Sequence, residues 1–186
     1  TRIRSSLNFW LCSPVWKQLL GGSVNIRVLG WVLALVATSA LAEDVTYNGR
    51  TLDVAADQDA RPIRRVLGSH YAISLAPDEI INKAQSCLAT QTGIHAESSD
   101  PSAGQLLATT KFDYRARFSS YSVKSRLQLQ AANGGFQITE TEVAVATLGS
   151  GDAVDFRPLT QKESGWEKSL DALILGENAL VDCLYR

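Results

Sequence analysis

Apolar positions recur at helical spacing in two places along this chain, and between them they alternate at every second residue. Ile80, Ala84, Cys87, Leu88 and Gln91 share one face, with Ile81 at its edge. Pro77 is pre-set for a first helical position, Asp78 and Glu79 complement the positive helix N-terminus, and Gly93 is a stop. The spacing predicts a helix over 77–91 with Cys87 on its apolar side. Trp166, Leu170, Leu173, Ile174, Val181 and Leu184 predict a second helix over 165–185. Ser164 and Glu167 have the spacing of a capping box, and Gly176 weakens the middle of that helix.

The remaining pattern is that of strands. Ser69–Ala76 puts Tyr71, Ile73 and Leu75 on one face. Ile94–Ser98 is short and runs into a turn at Asp100–Gly104. In Gln105–Arg117, Phe112, Tyr114, Ala116 and Phe118 alternate with Lys111, Asp113, Arg115 and Arg117. In Tyr121–Gln130, Val123, Leu127 and Leu129 alternate with Lys124, Arg126, Gln128 and Gln130. Asn133-Gly134-Gly135 turns the chain into Phe136–Leu148, where a slip near Glu140–Glu142 suggests a bulge. Residues 43–68 read as a polar, irregular segment, with Asn48-Gly49 as a hairpin signal between short strand-like runs. Residues 69–186 then form one α+β domain in the order β-α-β-β-β-β-α. An antiparallel sheet with one apolar face needs a cover, and two amphipathic helices supply it, giving a two-layer sandwich.

Three pieces of text carry a family resemblance: Ala76-Pro77-Asp78-Glu79-Ile80 through Ala84 and Cys87-Leu88, then Asp100 to Gly104-Gln105-Leu106, then Asn133-Gly134-Gly135-Phe136-Gln137. Over about residues 70–148 the chain resembles a family of exported bacterial domains of unknown function. The departure is Cys87, where that pattern often has an aromatic. The resemblance implies a fold like one repeat of the TATA-binding protein, an envelope setting and no established activity. It transfers no catalytic residue.

Upstream, Val24–Ala42 has the layout of a secretory signal peptide. Arg27 stands before an apolar run, Ala40-Leu41-Ala42 is a small-x-small cleavage site, and Glu43 is the expected first mature residue. From Val28 to Ala42 there are 15 residues, short of the roughly 20 that a membrane-spanning helix needs. The chain contains no Met, and Gly21-Gly22 before Val24 fits a ribosome-binding stretch ahead of a GTG start, so residues 1–23 are expected to be translated upstream sequence. The product is expected to be periplasmic or secreted.

This cut changes the charge and the cysteine count. Residues 1–42 hold four basic residues and no acid. Taking those four from 18 basic residues against 19 acidic ones leaves a net charge of −5. An acidic domain of this kind is not a general nucleic-acid binder. Cys87 and Cys183 remain, an even number for an oxidising compartment. Cys183 lies about 100° from the centre of its helix's apolar stripe by the helical repeat, on the flank where a neighbouring helix is met. A disulfide joining the two helices is expected; two buried free thiols are the other reading.

Chemistry is sparse. His70 and His95 are the only histidines, no Cys or His pair has ligand spacing, and no metal or cofactor is expected. Gly149-Ser150-Gly151-Asp152 lacks the nucleophile-elbow spacing, and Gly134-Gly135 lacks those of phosphate loops. Glu140 and Glu142 would point the same way on a regular strand, either as an acid–base pair or as cross-strand partners of basic residues. Lys111, Arg115, Arg117, Lys124 and Arg126 fall on the polar side of the sheet, a candidate site for an anionic envelope partner or another periplasmic protein. Arg61-Pro62-Ile63-Arg64-Arg65 could extend that patch. The reading is a non-enzymatic periplasmic binding or interaction module, using the open sheet face or a groove between helix and sheet. The alternative is an enzyme with an unrecognised active site. A buried polar cluster in a concave pocket would favour the enzyme; a charged face over a filled core would favour the module.

Overall fold

The computed structural model describes residues 42–149 and 154–186. The expectations for the upstream segment, the start at Val24 and the apolar run of the signal peptide fall outside the described residues, as does most of the Gly149–Asp152 loop. The elements are β1 (Ala42–Tyr47), β2 (Arg50–Ala55), β3 (Ile63–Ala72), α1 (Pro77–Leu88), β4 (Ile94–Asp100), β5 (Gln105–Ala116), β6 (Ser119–Ala132), β7 (Gly135–Leu148), β8 (Arg157–Pro158) and α2 (Trp166–Tyr185). The strands form one antiparallel sheet in the order β1-β2-β3-β7-β6-β5-β4, with β8 paired to β7. Both helices pack on the same face of this sheet, as the periodicity predicts.

The segment expected to be irregular, residues 43–68, is instead mostly β1, β2 and the first half of β3. Asn48 (φ 45°) and Gly49 (φ 75°) make the tight turn between β1 and β2, both in the left-handed region that such a turn requires. Leu52, Val54, Ile63 and Val66 are buried, while Asp53 and Arg65 face each other across the strands at 3.5 Å. Polar residues here sit on the outer face of short strands, and that alternation is too brief to stand out from a loop. β3 accordingly starts at Ile63 and ends at Ala72, earlier than the expected strand. Tyr71, Ile73 and Leu75 still pack against the core.

Helix α1 opens as predicted, with the Glu79 carboxylate accepting the Ala76 N–H at 3.0 Å. It stops at Leu88, short of the expected end. Gly93 adopts φ 87°, and a Cβ there would meet the Lys111 carbonyl. α2 lacks the predicted capping box. Gly165 occupies the cap position at φ 89°, and the Trp166 N–H donates to the Glu163 carbonyl at 3.3 Å, so Ser164 lies one residue too early. Phe118 does not continue a strand face: Arg117 (φ 55°) and Phe118 are the two-residue turn between β5 and β6.

The slip near Glu140–Glu142 is a β-bulge. Pairing between β6 and β7 shifts between Lys124 and Arg126, and Glu142 has φ 54°. Glu140 continues the inward face of Phe136 and Ile138, and the extra residue then reverses the alternation, so Glu142 points into solvent. The two carboxylates therefore do not face the same way. A second irregularity, in β3 between Leu67 and His70, contains Gly68. A Cβ there would lie 2.7 Å from Glu177 Oε1 and 2.9 Å from the Ile138 carbonyl, so this position admits glycine alone without a shift.

The core has two apolar clusters. One gathers α1, the C-terminal half of α2 and the sheet around Leu106, Leu127, Leu129, Phe136 and Ile138. The other gathers β2, β3 and the N-terminal half of α2 around Leu52, Val66, Val145, Leu159, Leu170 and Leu173. Cys87 and Cys183 join α1 to α2 by the expected disulfide, with their Cα atoms 6.0 Å apart.

Candidate functional site

The five basic residues expected on the polar face do not make one patch. Lys111 and Lys124 are directly opposite each other on β5 and β6. Neither has a carboxylate within ion-pair distance among the described residues. The Phe156 ring lies against them, its centroid 4.4 Å from Lys124 Nζ and 6.0 Å from Lys111 Nζ. Arg126 is compensated. Its guanidinium donates to Glu97 Oε2 at 2.9 and 3.1 Å and lies 3.7 Å from Glu142. Hydrogen bonds from Thr109, then Arg126, hold the Glu97 carboxyl below its ordinary range. Arg115 is exposed near the end of β5, and Arg117 leaves the sheet face in the turn beside the fully exposed Phe118.

The Arg61–Arg65 run does not extend the patch. Arg61 pairs with Glu43 at 2.7 Å, Arg64 with Asp57 at 3.4 Å and Arg65 with Asp53. Ala42 and Glu43, the expected cleavage pair, are the first two residues of β1 and are exposed. His70 and His95 are exposed, and among the described residues no group of three or more metal-ligating side chains is placed to hold an ion.

A polar layer that sequence reasoning missed lies between the two apolar clusters. Arg50, on β2, reaches across to α2 and forms an ion pair with Glu177 at 3.0 Å. Its guanidinium also donates to the Asn48 carbonyl, the Tyr71 hydroxyl and Asn178 Oδ1, each at 3.1–3.2 Å. The Tyr71 hydroxyl donates to Glu177 Oε1 at 2.9 Å. Burial, then the adjacent Glu177, pushes the Tyr71 hydroxyl up to about 12.

Glu140 completes the layer from β7. Ser125 Oγ donates to Glu140 Oε2 at 3.0 Å and lies 2.6 Å from Thr110 Oγ1, while Glu140 Oε1 finds no partner. Complete burial, reinforced by Glu177, raises the Glu140 carboxyl to about 8. None of the larger cavities is lined by Glu140, Glu177 or Arg50. A signal for this layer was present: Glu177 interrupts the apolar stripe between Ile174 and Leu180, and Glu140 follows Phe136 and Ile138 at strand spacing.

A groove of about 580 Å³ lies between α2, the loop after α1 and the last residues of β5, with Phe112 and Tyr114 facing Ala172, Leu175 and Gly176. Gly176 is required there, since a Cβ would overlap the Phe112 ring. The groove runs along an unpaired edge. β4 covers β5 only as far as Thr110, and Gly93 takes the Lys111 N–H at 2.7 Å, so residues 112–116 have no neighbouring strand on that side among the described residues.

No family model and no curated protein matches the sequence. Among solved structures, the fold is similar to that of a TBP-like protein from Parabacteroides distasonis, with a TM-score of 0.53 at 10% identity over 76% of this chain and 97% of that one. A DUF4468 family protein from Bacteroides ovatus aligns at a TM-score of 0.43 and 7% identity, over 74% of this chain and 90% of that one. At such identity the first likeness shows the fold alone, and it is the TBP-like α+β fold that the sequence resemblance implies.

Proposed function

We propose that the protein is a non-catalytic binding module of the bacterial envelope, periplasmic or secreted, that meets an anionic envelope surface through Lys111 and Lys124. One observation carries the reading. Like charges directly opposite on adjacent strands destabilise a sheet, so two lysines in that position work against the fold unless something offsets them. The Phe156 ring offsets part of the repulsion by cation–π contact and leaves both ammonium groups available to an anion. The Cys87–Cys183 disulfide fits an oxidising compartment, in line with the signal-peptide pattern of residues 24–42. Phe118, fully exposed beside Arg117, offers an apolar side chain at the tip of the same β5–β6 hairpin, five residue pairs beyond the two lysines. The sealed polar layer offers a substrate no opening among the larger cavities, which favours the module over the enzyme.

Sedimentation with vesicles tests the proposal. The protein should bind vesicles of acidic phospholipid more than neutral ones, less so as salt rises, and the Lys111→Gln, Lys124→Gln double variant should lose most of that binding. Equal retention on both vesicle types, no binding to either, or a double variant that binds like the parent would overturn it.

A further inference from the structure

β5 has an edge that no described strand covers beyond Lys111. In an antiparallel strand the N–H and C=O of one residue point to the same side, and successive residues alternate. Lys111 directs its N–H to Gly93 O at 2.7 Å, so the backbone groups of Asp113 and Arg115 point outward from the unpaired edge. Their side chains share the solvent face of the sheet and are exposed.

We infer that the protein forms a two-fold symmetric dimer in which the β5 edges of two copies pair antiparallel about Tyr114. In this register Asp113 lies opposite Arg115 of the second copy and Arg115 opposite its Asp113. Each of these pairs exchanges two backbone hydrogen bonds, and each sets opposite charges across from one another. The neighbouring registers fail. Centring on Asp113 sets that carboxylate against its own copy and Lys111 against Arg115. Centring on Arg115 sets two guanidinium groups together. Centring on Phe112 needs the Lys111 N–H, which Gly93 already holds.

The groove supports the same arrangement. Leu175, exposed on α2, lines it above Phe112 and Tyr114, and pairing at the edge joins the grooves of the two copies into one trough with these apolar side chains beside Lys168 and Asp171. The dyad stands perpendicular to the sheet, so the polar faces of both copies, each with its Lys111 and Lys124, look the same way. The inference does not depend on what those lysines bind. It is also how the molecule manages an exposed edge, which would otherwise recruit foreign strands.

Sedimentation equilibrium of the full protein over about 10–500 µM, in line with the modest size of such an edge contact, tests the pairing. The mass should rise from that of one processed chain toward twice that value. Asp113→Arg and Arg115→Asp alone each place like charges in both pairs and should weaken association about tenfold or more, while the double exchange Asp113→Arg, Arg115→Asp should restore it. Circular dichroism checks that all four proteins are folded. A parent that stays monomeric throughout, single variants that associate like the parent, or a folded double exchange no better than the singles would each overturn the inference.

Discussion

Replacing Glu140 by Gln should abolish a fall in stability that the protein otherwise shows as pH rises. Glu140 is wholly buried between the sheet and α2, with Glu177 facing it from α2, Arg50 from β2 and Ser125 from β6. Burial raises its carboxyl from 4.5 to about 8. Between those values the folded protein holds a proton that the unfolded chain releases, so stability must decrease as pH rises through this window and level off above it. At about 1.4 kcal/mol per pH unit the shift sets a ceiling near 5 kcal/mol. For a domain of this length that is a fall of order 10 °C in thermal midpoint between pH 5 and pH 9. The raised Tyr47 and Tyr71 hydroxyls, both about 12, titrate above this window. The lowered carboxyls of Glu97 and Asp100 stabilise the fold above their ordinary range and lose that effect only in acid, below it. Gln preserves the hydrogen bond from Ser125 and cannot ionise. Thermal unfolding from pH 5 to pH 9, with the disulfide intact, should give a falling midpoint for the parent and a nearly level one for Glu140→Gln, the variant being the more stable at pH 9. Parallel profiles would refute the reasoning.

Reducing the Cys87–Cys183 bridge should destabilise the protein by up to about 4–5 kcal/mol, because it releases a loop spanning 96 residues of sequence separation in the unfolded chain. Urea unfolding with and without a reductant measures this, and an unchanged midpoint would mean that the bridge constrains little. Gly176→Ala should also destabilise. The helix gains about 1 kcal/mol from losing glycine, but the new methyl overlaps the Phe112 ring, and overpacking of this kind costs about 1–3 kcal/mol. Urea unfolding of Gly176→Ala with and without Phe112→Leu should show the loss reversed by the second change.

The long periodic segments were legible in the sequence because one face of each is buried along its whole length. α1, the outward and inward faces of β5 and β6, and the bulge in β7 all follow from where apolar residues recur, and so does the meeting of Cys87, on the apolar face of α1, with Cys183, on the flank of α2. Short elements were not legible. β1 and β2 have six residues each, and their outward-facing charges resemble a loop until cross-strand partners such as Arg65 for Asp53 are in place. The site depended most on tertiary structure. Charge type and strand face are local properties, so the sequence could assemble five basic residues on one side. Whether a charge remains available depends on what lies across the strand: Arg126 meets Glu97 and Glu142, while Lys111 meets Lys124. The polar layer is the extreme case. Arg50 and Glu177 stand more than a hundred residues apart, and Glu140 keeps the inward alternation of Phe136 and Ile138, while the one extra residue at Glu142 turns that second carboxylate outward. The local pattern marks Glu140 and Glu177 as polar positions on apolar faces, but pairing between distant strands and helices decides which partners they meet and which other charges stay in water.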